Sequence, residues 1–288
     1  MTRTSDQPSE FLVDRVLARL GFTARPQPDL SGLKALYGAW CRHVPFDNVR
    51  KIVHLRGSTP GPLPGTSAAD FFEAWLTHGT GGTCWAGNGA LERLLVALGF
   101  DARRGIGTMM AAPNLPPNHG LVTVRLDGVD HLVDASILHG EPLPLANGSP
   151  TRIEHPAWGV ECRRDGERWN VHWRPLHQLG GFVCRIEQLT SEPGEFAERY
   201  ERTRGWSPFN YELHIRRNRE AGCVGLVFGK RVEIDADGRA TERAIDDFQR
   251  RRLLVEELGV SEEMATAIPA DVPTPPPPGS RAAGVSPQ

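Results

Sequence analysis

The chain has 288 residues, 39% of them hydrophobic and 24% charged, with a formal net charge of −2. That length buries a sizeable core in one large domain or two smaller ones, and the near-neutral charge argues against nucleic acid or an anionic membrane as partner. The five cysteines are odd in number and widely spaced with no Cys-x-x-Cys, which excludes a disulfide framework.

Taken in chain order, residues 1–9 are polar and read as disordered. Phe11, Leu12, Val16, Leu17 and Leu20 recur at helical spacing, and Leu33, Leu36, Tyr37 and Trp40 form the stripe of a second helix. HVPFDNVRKI and a Gly/Pro-rich loop follow, then a helix from Ala68 to Leu76. The glycine-rich stretch GTGGTCWAGNGAL leads into a helix with Leu91, Leu94, Leu95 and Leu98 on its inner face, which stops at Gly99. The first hundred residues therefore read as a helical unit. After Gly99 the apolar period shifts to 2, and HGLVTVRLDGVDHLVDA alternates around Asp127-Gly128, a hairpin signal. RWNVHWRPL, FVCRIEQL, YELHIRRN and CVGLVFGKRVEIDADGRATERAI read as further strands, and AIDDFQRRRLLVEELGV as a final helix. The Pro-rich end, residues 269–288, reads as a disordered tail. The arginine clusters Arg216–Arg217 and Arg250–Arg252 have acidic neighbours and read as solvated faces. With no apolar run long enough for a signal peptide or a membrane span, the expected location is the cytoplasm, with reduced thiols.

Cys84 stands where chemistry is favoured. A cysteine at a helix start lies beside unpaired backbone N–H groups and the positive end of the helix dipole, which stabilise thiolate and can hold an oxyanion. Thr83 is the expected N-cap, and Gly81 and Gly82 are expected to let a substrate approach the backbone closely. The competing reading of Cys84 is a small core residue. A nucleophile needs a base, and the hairpin narrows the choice among ten histidines. A two-residue loop at Asp127-Gly128 sets Arg125 opposite Asp130, a favourable charge pair. His119, Leu121, Thr123 and Arg125 then share a face with Asp130, Leu132, Asp134 and Ser136. Val122, Val124, Leu126, Val129, His131 and Val133 form the other, mostly apolar face, expected to be the core. His119 and Asp134 become diagonal neighbours, within hydrogen-bonding reach; a one-residue slip would part them. His131 competes as base but falls on the apolar face. Cys162, His172, His177 and Cys184 match no tight zinc spacing, so no metal is expected. Trp85, Trp206 and Phe209 are candidates for an aromatic pocket, against a competing reading as core.

These residues resemble the arylamine N-acetyltransferase family over roughly residues 10–265. HVPFDNVRKI is similar to the family's Ile-Pro-Phe-Glu-Asn-Leu segment and GGTCWAGN to its nucleophile motif. His119 at the head of HGLVTVRL and Asp134 in HLVDA stand where its catalytic histidine and aspartate do. The resemblance implies an α+β fold with a transglutaminase-like core: a helical bundle over 10–100, an antiparallel β-barrel over 101–190 and an α/β lid over 191–268. It implies a Cys84–His119–Asp134 triad, with Gly82, Thr83, Trp85, Phe46 and Phe209 at the oxyanion and substrate positions. It further implies ping-pong acyl transfer from acetyl-CoA as co-substrate, with no bound cofactor, to an arylamine or hydrazine. Three departures stand out. Thr80 replaces an arginine that would pair with Asp47, Ala86 replaces a glutamate, and Ser136-Ile137-Leu138 replaces a glycine-bearing stretch. These open a second reading, an amide synthase taking another acyl thioester, including one on an acyl carrier protein. A hydrolase on the same triad and a non-catalytic binding descendant are the remaining alternatives.

Overall fold

The structure is a computed structural model describing residues 7–112 and 115–278. The disorder expected for 1–6 and 279–288 lies outside the described residues. The fold is α+β. It begins with α1 (Glu10–Arg19) and α2 (Leu30–His43), followed by the two-residue strand β1 (Phe46–Asp47), then α3 (Val49–Arg56), α4 (Ala68–His78) and α5 (Cys84–Ala97). Ser9, Asp29 and Ser67 cap α1, α2 and α4 by accepting from the third residue onward, which satisfies one orphan N–H at each helix start. Leu12, Val16, Leu33, Trp40, Phe71, Trp75, Leu91 and Leu94 meet in the bundle core. Phe11 does not belong to the buried stripe. It is exposed beside Arg15, and Val13 takes its place, because the buried face of α1 is centred on Leu12, Val13, Val16 and Leu17.

The barrel is an eight-stranded antiparallel sheet: β2 (Asp101–Met109), β3 (His119–Leu126), β4 (Val129–Leu132), β5 (Leu143–Pro144), β6 (Thr151–Ile153), β7 (Val160–Asp165), β8 (Arg168–Trp173) and β9 (Phe182–Gln188). Its order is β5-β4-β3-β2-β9-β8-β7-β6. The two edges nearly close, and Thr151 Oγ1 donates to the Pro144 carbonyl at 2.6 Å across them. The β3–β4 register is the one the hairpin signal predicts, with Arg125 opposite Asp130 and Leu126 opposite Val129. The expectation of a single buried face needs correcting. Val122 and Val124 pack on the helical bundle, whereas Leu121 and Leu132 point into the barrel core, so β3 is covered on both sides.

The lid follows: α6 (Pro193–Arg202), β10 (His214–Asn218), β11 (Cys223–Val227), β12 (Lys230–Ile234), β13 (Ala240–Ala244), α7 (Asp247–Arg252) and α8 (Glu262–Ala267). The expected single final helix is two. α7 runs into a π-helical turn at Leu253–Glu257, and Gly259, at φ 75°, separates it from α8. β1 crosses from the bundle to form an edge of the lid sheet, ordered β1-β10-β11-β12-β13. Asp271 accepts from the Leu213 N–H and Trp206 Nε1 donates to the Pro275 carbonyl, which ties residues 271–275 to the lid. Arg216 is buried, not part of a solvated face, because β10 lies inside this sheet; Arg217 is half-buried.

Candidate active site

α5 begins at Cys84 because the approach to it is held on both sides. Gly79 caps α4 at φ 68°, and a Cβ there would sit 2.0 Å from the Gly259 carbonyl oxygen. A Cβ on Gly81 would sit 1.9 Å from the Pro45 carbonyl oxygen, and one on Gly82 2.8 Å from the Ala86 Cβ. The close approach these glycines permit is thus to the protein itself. It lets Gly82 bridge Phe46 and lets the Asp47 carboxylate accept from the Gly81 N–H at 2.5 Å and the Val49 N–H at 3.0 Å. Thr83 occupies the N-cap position with extended backbone, but its hydroxyl makes no capping bond and faces the Tyr200 hydroxyl. The N–H groups at the start of α5 therefore have no side-chain cap, which suits an oxyanion.

Cys84, His119 and Asp134 come together at the junction of bundle and barrel. His119 is 1% exposed and Asp134 0%. His119 Nε2 lies 2.6 Å from Asp134 Oδ2, and Cys84 is near enough for its charge to act on the same ring. Asp134 Oδ1 is pinned separately. It accepts from the Ser136 N–H and Oγ at 2.8 Å each, the Ile137 N–H at 3.1 Å and Asn88 Nδ2 at 3.2 Å. Asn88 also donates to the Gly120 carbonyl at 2.6 Å and accepts from the Ala135 N–H at 2.9 Å, so one side chain on α5 joins β3 to the segment that follows β4. The Tyr37 hydroxyl donates to the Asp134 carbonyl at 2.8 Å and accepts its N–H at 3.0 Å.

Burial alone would lower His119. The Asp134 and Cys84 charges and their hydrogen bonds override it and raise the imidazole to about 10. Burial works the other way on Asp134, yet the His119 cation and the Ser136 donors hold it well below the usual carboxylate range. Asp47, with no arginine at position 80, is pushed by burial up to about 6, its two N–H donors only partly offsetting this. Arg50 acts on it from a distance but directs its own hydrogen bonds to Asp70. Lys51 on α3, which the sequence pattern did not single out, is almost wholly buried and donates to Thr203 Oγ1 at 2.8 Å. Burial lowers its amine to about 7, with the Cys84 charge acting to raise it.

Phe46 and Phe209, 163 residues apart in sequence, meet edge to face at 5.3 Å, and His214 packs on both. Trp85 lies apart from that wall, edge-on to Phe196 at 4.9 Å, where a Cβ on Gly120 would strike both rings. Trp206 belongs to the lid's contact with residue 275. Among the departures, Ser136 supplies a hydroxyl to Asp134, and Leu138 stands at φ 56°, a left-handed conformation ordinarily suited to glycine. His131 is buried opposite Val124 and Pro144, on the bundle-facing side of the sheet with Val124. Cys162 and Cys184 pack in the barrel core, and the described residues hold no cluster of three or more metal-ligating side chains.

Comparisons with known proteins bear on the family and the fold. The family model described as N-acetyltransferase matches residues 29–261. The arylamine N-acetyltransferase of Mycolicibacterium smegmatis is 32% identical over 175 residues, covering 56% of this chain and 62% of that protein. Proansamycin X synthase of Amycolatopsis mediterranei is 27% identical over 175 residues, covering 56% of this chain and 66% of that protein. The structure of the Mycobacterium marinum arylamine N-acetyltransferase in complex with CoA superposes with a TM-score of 0.75 at 18% identity, over 89% of this chain and 98% of that one, a likeness of fold. A cysteine at a helix start facing a barrel histidine, on this fold and within this match, has one family reading: the chain belongs to the arylamine N-acetyltransferase family.

Proposed function

We propose that the protein is a cysteine-dependent acyltransferase that moves an acetyl group from acetyl-CoA to an arylamine or hydrazine in two half-reactions. The observation that carries this reading is the buried 2.6 Å His119–Asp134 contact, with Cys84 close enough to act on the same imidazole. His119 takes the Cys84 proton, and Asp134 fixes the tautomer and stabilises the resulting cation. The sulfur attacks the thioester carbonyl. The oxyanion is stabilised at the uncapped N-terminus of α5, and CoA leaves with the proton from His119. The acetyl group then rests on Cys84. The amine attacks it, His119 accepts the amine proton, and collapse of the adduct returns the Cys84 sulfur with the product amide. Phe46 and Phe209 form the wall against which a flat acceptor lies.

The similarity to proansamycin X synthase favours a second reading, amide formation from a larger acyl thioester by the same steps. Donor and acceptor profiling separates the readings. Acetyl transfer to a hydrazine, with parallel double-reciprocal lines, supports the first. Discharge of longer acyl-CoA thioesters while acetyl-CoA stays intact supports the second. Free acid released at full rate without amine contradicts both and assigns a hydrolase.

A further inference from the structure

One buried charge takes no part in the steps above. Arg216 lies on β10 directly opposite Phe46 and is 3% exposed. Its Nη2 reaches Asn218 Oδ1 only at 3.4 Å, and its Nε and Nη1 have no hydrogen-bond acceptor among the described residues. A guanidinium keeps its charge, and burying a charge without a counter-charge is strongly unfavourable unless something completes it.

The surroundings indicate what completes it. Facing residues on an antiparallel pair project to one side, so Phe46, His214 and Arg216 share a face of the lid sheet. That face looks across to Trp173, whose ring lies 5.9 Å from the guanidinium, and to His177, whose ring is 5.3 Å from His214. The cluster reaches solvent at the exposed His177 and Phe228. Burial, followed by the neighbouring His177 and Arg216, pushes His214 down to about 3, so this ring is neutral. Burial also lowers His139, on the bundle side, to about 4, with Arg216 adding to the effect. Gly82, Phe46 and Arg216 lie on three adjacent chain segments, each spaced about 4.8 Å from the next. The Arg216 backbone is therefore on the order of 10 Å, two chain spacings, from the segment that leads into Cys84.

We propose that Arg216 recognises a carboxylate on the substrate, carried either at the far end of the acyl chain or on the ring of the acceptor amine. One planar fork among aromatic rings matches one carboxylate. The proposal rests on the acyl-transfer reading.

The test compares wild type with Arg216→Met and Arg216→Lys on two matched pairs. Acceptors are 4-aminobenzoate and 4-aminobenzamide with acetyl-CoA; donors are succinyl-CoA and butyryl-CoA with a neutral hydrazine. The expected result is that wild type favours the carboxylate member of one pair, and that R216M cuts kcat/KM for that member by about 10- to 100-fold while R216K keeps part of it. The neutral members should change by less than about threefold. The pair that responds names the source of the carboxylate. Equal losses on both members, or a loss that follows CoA itself as a raised inhibition constant for free CoA, would overturn the proposal. A binding arm stands apart from turnover and from the folding of the variants. Benzoate or succinate should raise the wild-type melting temperature where benzamide and succinamide do not. Equal shifts, or none, would overturn the Arg216 assignment even if acyl transfer is active. A carboxylate-specific shift in a protein that transfers no acyl group would uphold it while sinking the acyl-transfer reading.

Discussion

The surroundings of Asp134 and of Arg216 are built in opposite ways. On the bundle–barrel side, Asp134 receives four donors on Oδ1 and His119 on Oδ2, with Tyr37 holding its backbone. On the lid side, Arg216 is equally buried but has two nitrogens with no acceptor among the described residues. A fully satisfied polar network fixes one geometry, whereas an unmet buried charge makes the energy of its surroundings depend on what enters them. On the proposed reading, Asp134 and His119 are held in place in advance of substrate, and selectivity would reside at Arg216.

The largest expected effect tests the satisfied side directly. Cys84→Ala should abolish acyl transfer, and His119→Ala and Asp134→Asn should each lower its rate by about 10³- to 10⁴-fold, measured as amide formed with time. Asp134→Asn is the most telling because it keeps the side chain's shape; retained activity would break the contrast between the two surroundings. Next, Tyr37→Phe and Asn88→Ala should each cost about 1–3 kcal/mol in urea denaturation, since each strands buried partners. Both should lower kcat more than they raise KM, because they loosen Asp134 and leave the aromatic wall untouched. An unchanged kcat would make them structural only.

pH gives the third effect. The folded state raises His119 from 6.5 to about 10 and so binds its proton more tightly than the unfolded chain does. That stabilisation is complete below about pH 6.5 and is lost as pH rises through about 10. The Asp134 contribution is present above about 3.8 and is lost as pH falls toward its lowered folded value. The stability gap between wild type and His119→Gln should therefore narrow as pH climbs from 6.5 to 10. A gap that stays constant would contradict the ion pair. The smallest effect concerns helix ends. Ser67→Ala removes a real cap and should cost about 1 kcal/mol. Thr83→Ala should cost less than about 0.5 kcal/mol, because its hydroxyl caps nothing.

What the sequence makes legible is what local rules govern. Asp127-Gly128 sets the β3–β4 register, and parity alone brings His119 to Asp134. The helix containing Cys84 reads from its leucine stripe and its stop at Gly99. HVPFDNVRKI is opaque because its two-residue strand has no period, and its partner, β10, lies some 170 residues away. For the same reason Phe46 and Phe209 are not visible as neighbours. Arg216 reads as a solvated charge beside Arg217, and only its place opposite Phe46 in an interior strand shows otherwise. The glycines before Cys84 are legible as a tight approach, though Gly81 approaches the Pro45 carbonyl and Gly82 the Ala86 Cβ, contacts no linear pattern encodes.

In the proposed reaction Cys84 carries the acyl group. The measurement that tests it most directly is the intact mass of the protein after brief exposure to acetyl-CoA without amine, beside Cys84→Ala. Wild type alone should show an acetyl-sized gain, discharged when a hydrazine is added. An equal gain on Cys84→Ala would contradict it, as would no gain with acetyl-CoA or any longer acyl-CoA.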